Sequence, residues 1–175
     1  ENLRDVVIEK LNEGSDTVSS SITYTLPANV ENLILTGTAA IDGTGNSAAN
    51  RLNGGAGNDT LDGGFGVNRL TGGACNDIFK FTSLGPVDVI TDYNVVNDTV
   101  QLENSVFTAL TVTGTLPAGQ FRIGMQAADA NDHIIYNSAT GALIYDPNGN
   151  GAGGATQIAT IGTGLSMTHA DVVVI

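Results

Sequence analysis

Apolar residues along this chain come in short runs rich in Val, Ile, Thr and Tyr, broken by glycine, asparagine and proline. No stretch holds the 3.6-residue apolar period of a long amphipathic helix, so the elements it predicts are strands. Val6-Val7-Ile8, Thr17 to Leu26 and Asn32 to Thr36 read as strands, punctuated by Gly14, Pro27-Ala28-Asn29 and Gly37. Further on, His133-Ile134-Ile135-Tyr136 and Ala142-Leu143-Ile144-Tyr145 flank Asn137 to Gly141, a hairpin loop ending in glycine. Thr156 to Ile161 reads as another strand, Thr168 to Asp171 as a single helical turn, and Val172 to Ile175 as an apolar tail. No flexible linker interrupts the chain. The shift in pattern near residue 100 is a change of architecture rather than a hinge, dividing it into 1–100 and 101–175.

Between these segments the chain acquires a strict nine-residue period. Three units run without gaps: Gly54 to Asp62, Gly63 to Thr71 and Gly72 to Lys80, each G-G-x-x-x-[DN]-x-U-x with U apolar. The third glycine is present as Gly57 and Gly66 and replaced by Cys75 in the last unit. A degenerate unit, Gly45 to Asn53, precedes them, which puts the repeat core at about 45–80. Six residues of each unit suit a turn, with glycines supplying positive φ. The last three suit a minimal strand with one inward side chain: Leu52, Leu61, Leu70 and Phe79 in succession. Two units then make one coil with a strand on each side, and each turn lies over the turn two units away, about 4.8 Å below.

The pattern resembles the RTX, or haemolysin-type, calcium-binding repeats of bacterial proteins. Segments on either side are similar to those that flank such repeats: Asn12 to Leu33 before them, Asp88 to Tyr93 with Asp98 after them, and Tyr136 to Ala152 with Thr156 to Thr160 further on. The resemblance implies an all-β fold, a right-handed parallel β-roll (a β-helix) with a C-terminal β-rich cap containing the antiparallel hairpin. It also implies calcium held between stacked turns by alternate backbone carbonyls and the Asp of each turn. Carried onto this chain, one site would use Gly55, Gly57 and Asp59 with Gly72, Ala74 and Asp77. The next would use Gly73, Cys75 and Asp77, closed by Asp98 or its neighbours, and Asp92 is a further candidate. On the opposite edge the same logic brings in Asn50, Gly63, Phe65 and Asn68, with Asp88 above them. Two Asp positions have become Asn there, so weak calcium binding, or none, is expected below Asp88. Calcium–oxygen distances of about 2.3–2.6 Å let one ion reach both of two turns ~4.8 Å apart.

Charge and composition fit that reading. Six basic against eighteen acidic residues give a net charge of −12, and Asp outnumbers Glu thirteen to five. The shorter acid suits turns and calcium sites. Without a cation, stacked Asp59 and Asp77 repel by about 0.9 kcal/mol in bulk water and about 3.5 kcal/mol at an effective dielectric of 20. So few cations exclude a nucleic-acid binder held by a basic patch and argue against docking on anionic lipid. The single cysteine excludes an internal disulfide. No apolar run approaches the ~18 residues of a membrane span. The chain begins at Glu1 without Met or a signal segment, and is expected to be part of a longer protein whose other domains lie upstream.

The resemblance further implies export through a type I channel, folding in extracellular calcium, and an uncleaved C-terminal signal. Asp171 with Val172 to Ile175 fits such a signal and equally fits a plain terminal strand. Asp146 to Gly151 matches the start of an EF-hand loop, but the twelfth position is Gln157, so a supporting calcium turn or a simple Asn-Gly turn remain. Asp129 to Asp132 fits a metal turn or an Asx-turn, and Glu13 with Asp16 could close a first-coil site. No H-E-x-x-H or G-x-S-x-G motif is present, and His133 and His169 stand apart. No catalytic residue is expected. Three function classes stay open: a calcium module serving secretion of an exoprotein, an accessory tail of a secreted protease, lipase or polysaccharide epimerase, and an adhesive or ice-binding surface using Thr23-Tyr24-Thr25 and Thr111-Val112-Thr113.

Overall fold

Strands of two to five residues, most with one or two inward apolar side chains, wind this chain into coils, seen here in a computed structural model that describes residues 7–11 and 14–175. In chain order the strands are β1 (Thr17–Ser20), β2 (Tyr24–Thr25), β3 (Asn32–Leu35), β4 (Asp42–Thr44), β5 (Arg51–Gly55), β6 (Thr60–Asp62), β7 (Arg69–Gly73), β8 (Ile78–Phe81), β9 (Asp88–Ile90) and β10 (Thr99–Leu102). Odd strands pair in parallel in one sheet and even strands in another, so each coil contributes one strand to each face. Within the repeats the register steps by eighteen residues, Leu52 beside Leu70 and Leu61 beside Phe79, as the two-unit coil requires. Leu52, Leu61, Leu70 and Phe79 are at most 1% exposed and form the centre of the core.

The chain after residue 102 extends both sheets. It adds β11 (Gly114–Thr115), β12 (Phe121–Ile123), β13 (Ile134–Asn137), β14 (Ala142–Tyr145), β15 (Thr156–Thr160) and β16 (Val172–Val174). Strand β15 lies parallel to β9 and continues through the antiparallel β14 and β13 to β12, while β16 lies parallel to β10 with β11 antiparallel outside it. One buried apolar cluster runs from Leu26 to Val174 through both regions.

Several expectations shift. Thr17 to Leu26 is not one strand: the chain bends after Ser20, whose hydroxyl donates to the Ile22 carbonyl (2.7 Å), and β1 and β2 join opposite sheets. Val7 and Ile8 form no strand and are exposed, and Val6 lies outside the described residues. The repeat strands are not all three residues long, because β5 and β7 run on through the Gly-Gly pair that was expected to belong to the turn. The strands at Asp42–Thr44, Gly114–Thr115 and Phe121–Ile123 were too short, or too glycine-rich, to show a pattern. The helical turn is a 3₁₀ turn, His169–Asp171, with the Thr168 hydroxyl accepting from Ala170 N–H and the Asp171 carboxylate accepting from Thr168 N–H.

Candidate metal centre

Turns leading from the nine-stranded to the seven-stranded sheet stack on one edge, and they carry Asp59, Asp77 and Asp98 at the same place in three successive coils. Each carboxylate reaches down one coil. Asp98 Oδ1 accepts the Asp77 N–H (3.0 Å), Asp77 Oδ1 accepts the Asp59 N–H (3.0 Å), and Asp59 Oδ1 accepts the Ile41 N–H (3.0 Å). All three are at most 7% exposed. One oxygen of each is therefore tied to the backbone of the coil below, and Asp98 Oδ2 also accepts the Asn94 N–H of its own turn (2.9 Å). Asp59 Oδ2 is buried with no partner at all.

This ladder is short of positive charge. Burial pushes the Asp77 carboxyl up to about 6, the Asp59 N–H opposes that, and the Asp98, Asp59 and Asp92 charges add to it. Burial also raises Asp59 and Asp98 above the ordinary carboxylate range. Among the described residues no three His, Cys, Asp or Glu side chains cluster closely enough to hold a metal alone. A cation here must draw on backbone carbonyls as well, and the glycines let those carbonyls approach. A Cβ on Gly72 would stand 2.5 Å from Asp77 Oδ2; one on Gly73, at φ +100°, would stand 2.1 Å from the Gly55 carbonyl oxygen. An orphaned buried carboxylate oxygen, like charges in file and tightly stacked carbonyls make an all-oxygen donor set that fits a hard divalent cation such as Ca²⁺.

The expected members of this edge lie along it: Gly55, Gly57 and Asp59 in one turn, Gly72, Gly73, Ala74, Cys75 and Asp77 in the next, and Asp98 above. Cys75 takes φ +83°, which a side chain rarely adopts, and its exposed thiol donates to the Ala56 carbonyl (3.5 Å). Asp92 does different work from a free ligand. Its two oxygens accept the Gly72 and Gly73 N–H groups (3.0 and 2.8 Å), fastening the Gly-Gly corner of the coil below.

On the opposite edge Asn50, Asn68 and Asp88 repeat the ladder with amides. Asp88 Oδ1 accepts the Asn68 N–H (2.8 Å) and Asn68 Oδ1 accepts the Asn50 N–H (2.9 Å). Their nitrogens have a further effect. Asn68 Nδ2 donates to the carbonyls of Phe65 (3.2 Å) and Gly66 (3.4 Å), and Asn50 Nδ2 donates to that of Val30 (2.9 Å). The carbonyls of Val30, Phe65 and Gly66 on this edge are thus satisfied by the chain itself. A Cβ on Gly63 would stand 2.5 Å from Asn68 Nδ2, so the amide sits in the space under that turn. Burial raises Asp88, which closes the ladder, to about 6, with Asp62 adding to it. The sequence identified both edges, but not the amide-to-carbonyl bonds or the double acceptor role of Asp92. The Asn at every second Asp position was the available signal for the first.

Elsewhere, the 129–132 and 146–151 turns meet, Asn150 N–H donating to the Asp129 carbonyl (3.0 Å). Asp132 and Asp146 are buried, and their carboxylates accept from backbone N–H groups of their own turns. Asp16 N–H donates to Glu31 (2.9 Å), and Glu13 lies outside the described residues. Thr111 to Thr113 belongs to no strand, so that threonine pair does not form a regular face. No helix among the described residues is long and apolar enough to cross a membrane.

Residues 44–79 match the RTX calcium-binding nonapeptide repeat, in four copies. The chain is 43% identical over 101 residues to the endo-1,3-1,4-beta-glycanase ExsH of Rhizobium meliloti (strain 1021), a match covering 58% of this chain and 21% of that protein. The matched part is thus about a fifth of that relative's length. In fold the chain is similar to the solution structure of the AlgE6R3 subunit from the Azotobacter vinelandii mannuronan C5-epimerase, at a TM-score of 0.50 and 22% identity, covering 97% of this chain and 85% of that one. The chain carries RTX calcium-binding repeats on an all-β solenoid, with no catalytic family indicated.

Proposed function

We propose that this chain is a calcium-driven folding module of a larger, secreted bacterial exoprotein. Residues 1–100 would form the roll and 101–175 the cap that closes it and carries the export signal. Calcium would be held on the Asp edge by Gly55, Gly57 and Asp59 with Gly72, Ala74 and Asp77, and by Gly73, Cys75 and Asp77 with Asp98. The partners would be calcium, the type I secretion machinery and upstream domains of the same polypeptide, and the location extracellular. The observation that carries the reading is the buried, uncompensated Asp59–Asp77–Asp98 file beneath glycine turns. Burying such charges unpaired is unfavourable, so the cation belongs to the fold and its binding drives folding. Circular dichroism across a calcium titration tests this. The expected result is little β-structure in excess EDTA and its recovery with calcium, with magnesium a poor substitute because it demands a tight octahedron. A fully folded spectrum in EDTA would refute it.

A second reading concerns the protein to which the module belongs. The names of the relative and of the structural neighbour both describe enzymes of polysaccharides. We infer that the module is the non-catalytic accessory part of a secreted polysaccharide-acting enzyme. The full-length reading frame decides this: a catalytic domain of another class upstream would overturn it.

A further inference from the structure

The nine-stranded sheet is open at both ends. Among the described residues β1 has no neighbour outside it, and neither has β12 at the far end. The two strands run the same way. Strand β1 is parallel to every strand through β15, and the two reversals at β14 and β13 bring β12 back to that direction. They also share one column of residues. Asp16, Glu31, Asn50, Asn68 and Asp88 stand at the same place in successive coils, and the column continues from Asp88 through Ala159, Leu143 and Tyr136 to Ile123. Down most of it, the N–H of one rung is taken by the side chain of the rung above: Asn68 by Asp88, Asn50 by Asn68 and Asp16 by Glu31.

The two end rungs are unsatisfied in complementary ways. Asp16 Oδ2 is buried and has no donor. The Gly124 N–H donates inward to the Tyr136 carbonyl (3.0 Å), so by alternation the Ile123 N–H points out of the free edge, where no bond to it forms among the described residues. Apolar groups are uncovered there too: Ile123 and Met125 are 52% and 82% exposed, although Ile123 lies beside the fully buried Tyr136. At the other end Val18 is only half-buried against the core. Strand β1, Thr-Val-Ser-Ser, has neither the charge nor the proline that blunts a free edge.

We propose that copies of this chain stack end to end, β1 of the upper copy pairing in parallel with β12 of the lower, and Asp16 of the upper accepting the Ile123 N–H of the lower. A second copy supplies the strand direction, the column and the missing donor together. Val18 then closes over Ile123 and Met125. The seven-stranded sheet ends in the antiparallel β11, so one sheet alone continues across the junction and the contact is small. The two surfaces are different, so a third copy can add at either end, and the assembly is an open file rather than a closed dimer. Each copy carries a net charge of −12, so calcium and salt both favour it. The junction uses none of the calcium-edge aspartates and requires only the folded roll.

Sedimentation velocity on the calcium-loaded chain tests this, up to about millimolar protein because a small contact is weak. Wild type should sediment faster as concentration rises, without levelling off at a dimer. Asp16→Ala should weaken association about tenfold, as loss of a hydrogen bond to a charged group does. Ile123→Pro removes the N–H itself, at an edge position that tolerates proline, and should weaken it at least as much. The Ile123→Pro copy keeps Asp16, and the Asp16→Ala copy keeps the Ile123 N–H. An equimolar mixture should therefore form one intact junction and stop at a dimer. Val67→Ser, at a residue 56% exposed but away from both ends, should assemble as wild type does. Every variant must give the wild-type calcium-dependent circular dichroism signal, so a failure of calcium-driven folding is read separately. If Ile123→Pro loses that signal, Ile123→Glu, which sets a like charge against Asp16, takes its place. A monomeric wild type throughout, a wild type that levels off at a dimer, unchanged association by both end variants, or a mixture no more associated than its components would each overturn the proposal.

Discussion

Replacing Asp77 by Asn should separate the two states of the module in opposite directions. Asp77 is the middle rung of its ladder, with a carboxylate above it and another below. Its carboxyl stands at about 6 against an ordinary 3.8, which corresponds to about 3 kcal/mol of unfavourable charge in the calcium-free fold at pH 7. Solvent screening at the edge of a thin roll reduces that to about 2 kcal/mol. An amide removes the charge without removing the geometry. Asn68 on the other edge holds the N–H one coil below at 2.9 Å and gives its Nδ2 to the carbonyls two and three residues earlier. For Asn at 77 those carbonyls belong to Ala74 and Cys75. Asp77→Asn should therefore raise the folding equilibrium constant in EDTA about 30-fold, a change of about 2 kcal/mol. The same substitution should weaken both calcium sites that share this residue. The reverse exchange, Asn68→Asp, should improve calcium binding on the amide edge and loosen the calcium-free state. Circular dichroism in EDTA and calorimetric calcium titration read the two effects. A less folded Asp77→Asn protein in EDTA, or one with wild-type calcium stoichiometry and affinity, would show that the edge is not a charge-strained calcium ladder.

Two further outcomes follow from the same contacts. In EDTA, stability should fall as pH rises: folded Asp77 and Asp88 hold their protons up to about 6, whereas the unfolded chain releases them near 3.8, so the folded state binds the extra protons in that window. Calcium-free protein should thus show more β-structure at pH 5 than at pH 8, while calcium affinity runs the other way; a spectrum independent of pH in EDTA would count against buried, protonated aspartates. Deleting Val172 to Ile175 should remove β16 from between β10 and β11 and expose β10, since Val172 and Val174 are at most 1% exposed. Losing two buried valines costs on the order of 5 kcal/mol, so the truncated chain should need more calcium to fold, seen as a shifted titration midpoint; an unchanged midpoint would mean that the tail does not close the roll.

The repeats were legible because nine residues carry their whole structure locally. Leu52, Leu61, Leu70 and Phe79 fall inward because each is the apolar residue at the same place in its nine-residue unit, alternating with outward neighbours on its strand, and the step between coils follows by counting. Outside the repeats the coil length varies: Thr17 pairs with Asn32, fifteen residues on, but Arg69 pairs with Val89, twenty on. No period survives that variation, and strands such as Asp42–Thr44 take their pairing from neighbours rather than from their own composition. Gly43 belongs to that strand because a Cβ there would stand 3.0 Å from Leu33 Cδ2: its emptiness makes room for its neighbours' side chains, which no local pattern records. The tail was ambiguous for a related reason. An aliphatic run with one acid before it serves as a strand or as a signal, and only pairing with β10 gives it a structural place.

The two edges divide the work of closing a coil. Every coil brings carbonyls of one turn against those of the next, and these must be satisfied or separated. On the amide edge Asn50 and Asn68 supply donors from the chain, so that edge can close whatever the solution contains. On the acid edge the only side chains in the same place are further acceptors, and the edge gathers charge with every coil added. A chain with both edges of the first kind would fold without regard to metal; one with both of the second would carry about twice the repulsion across a core one side chain wide. Here a single charged file decides, while Asp92 and Tyr93 join it to the rest. Asp92 fastens the Gly72–Gly73 corner, and the Tyr93 hydroxyl lies 3.2 Å from the Asp98 carbonyl and 3.4 Å from that of Asp171, next to β16. Ordering of the Asp98 turn and docking of the last strand therefore share a contact, so a cation that fixes the first favours the second.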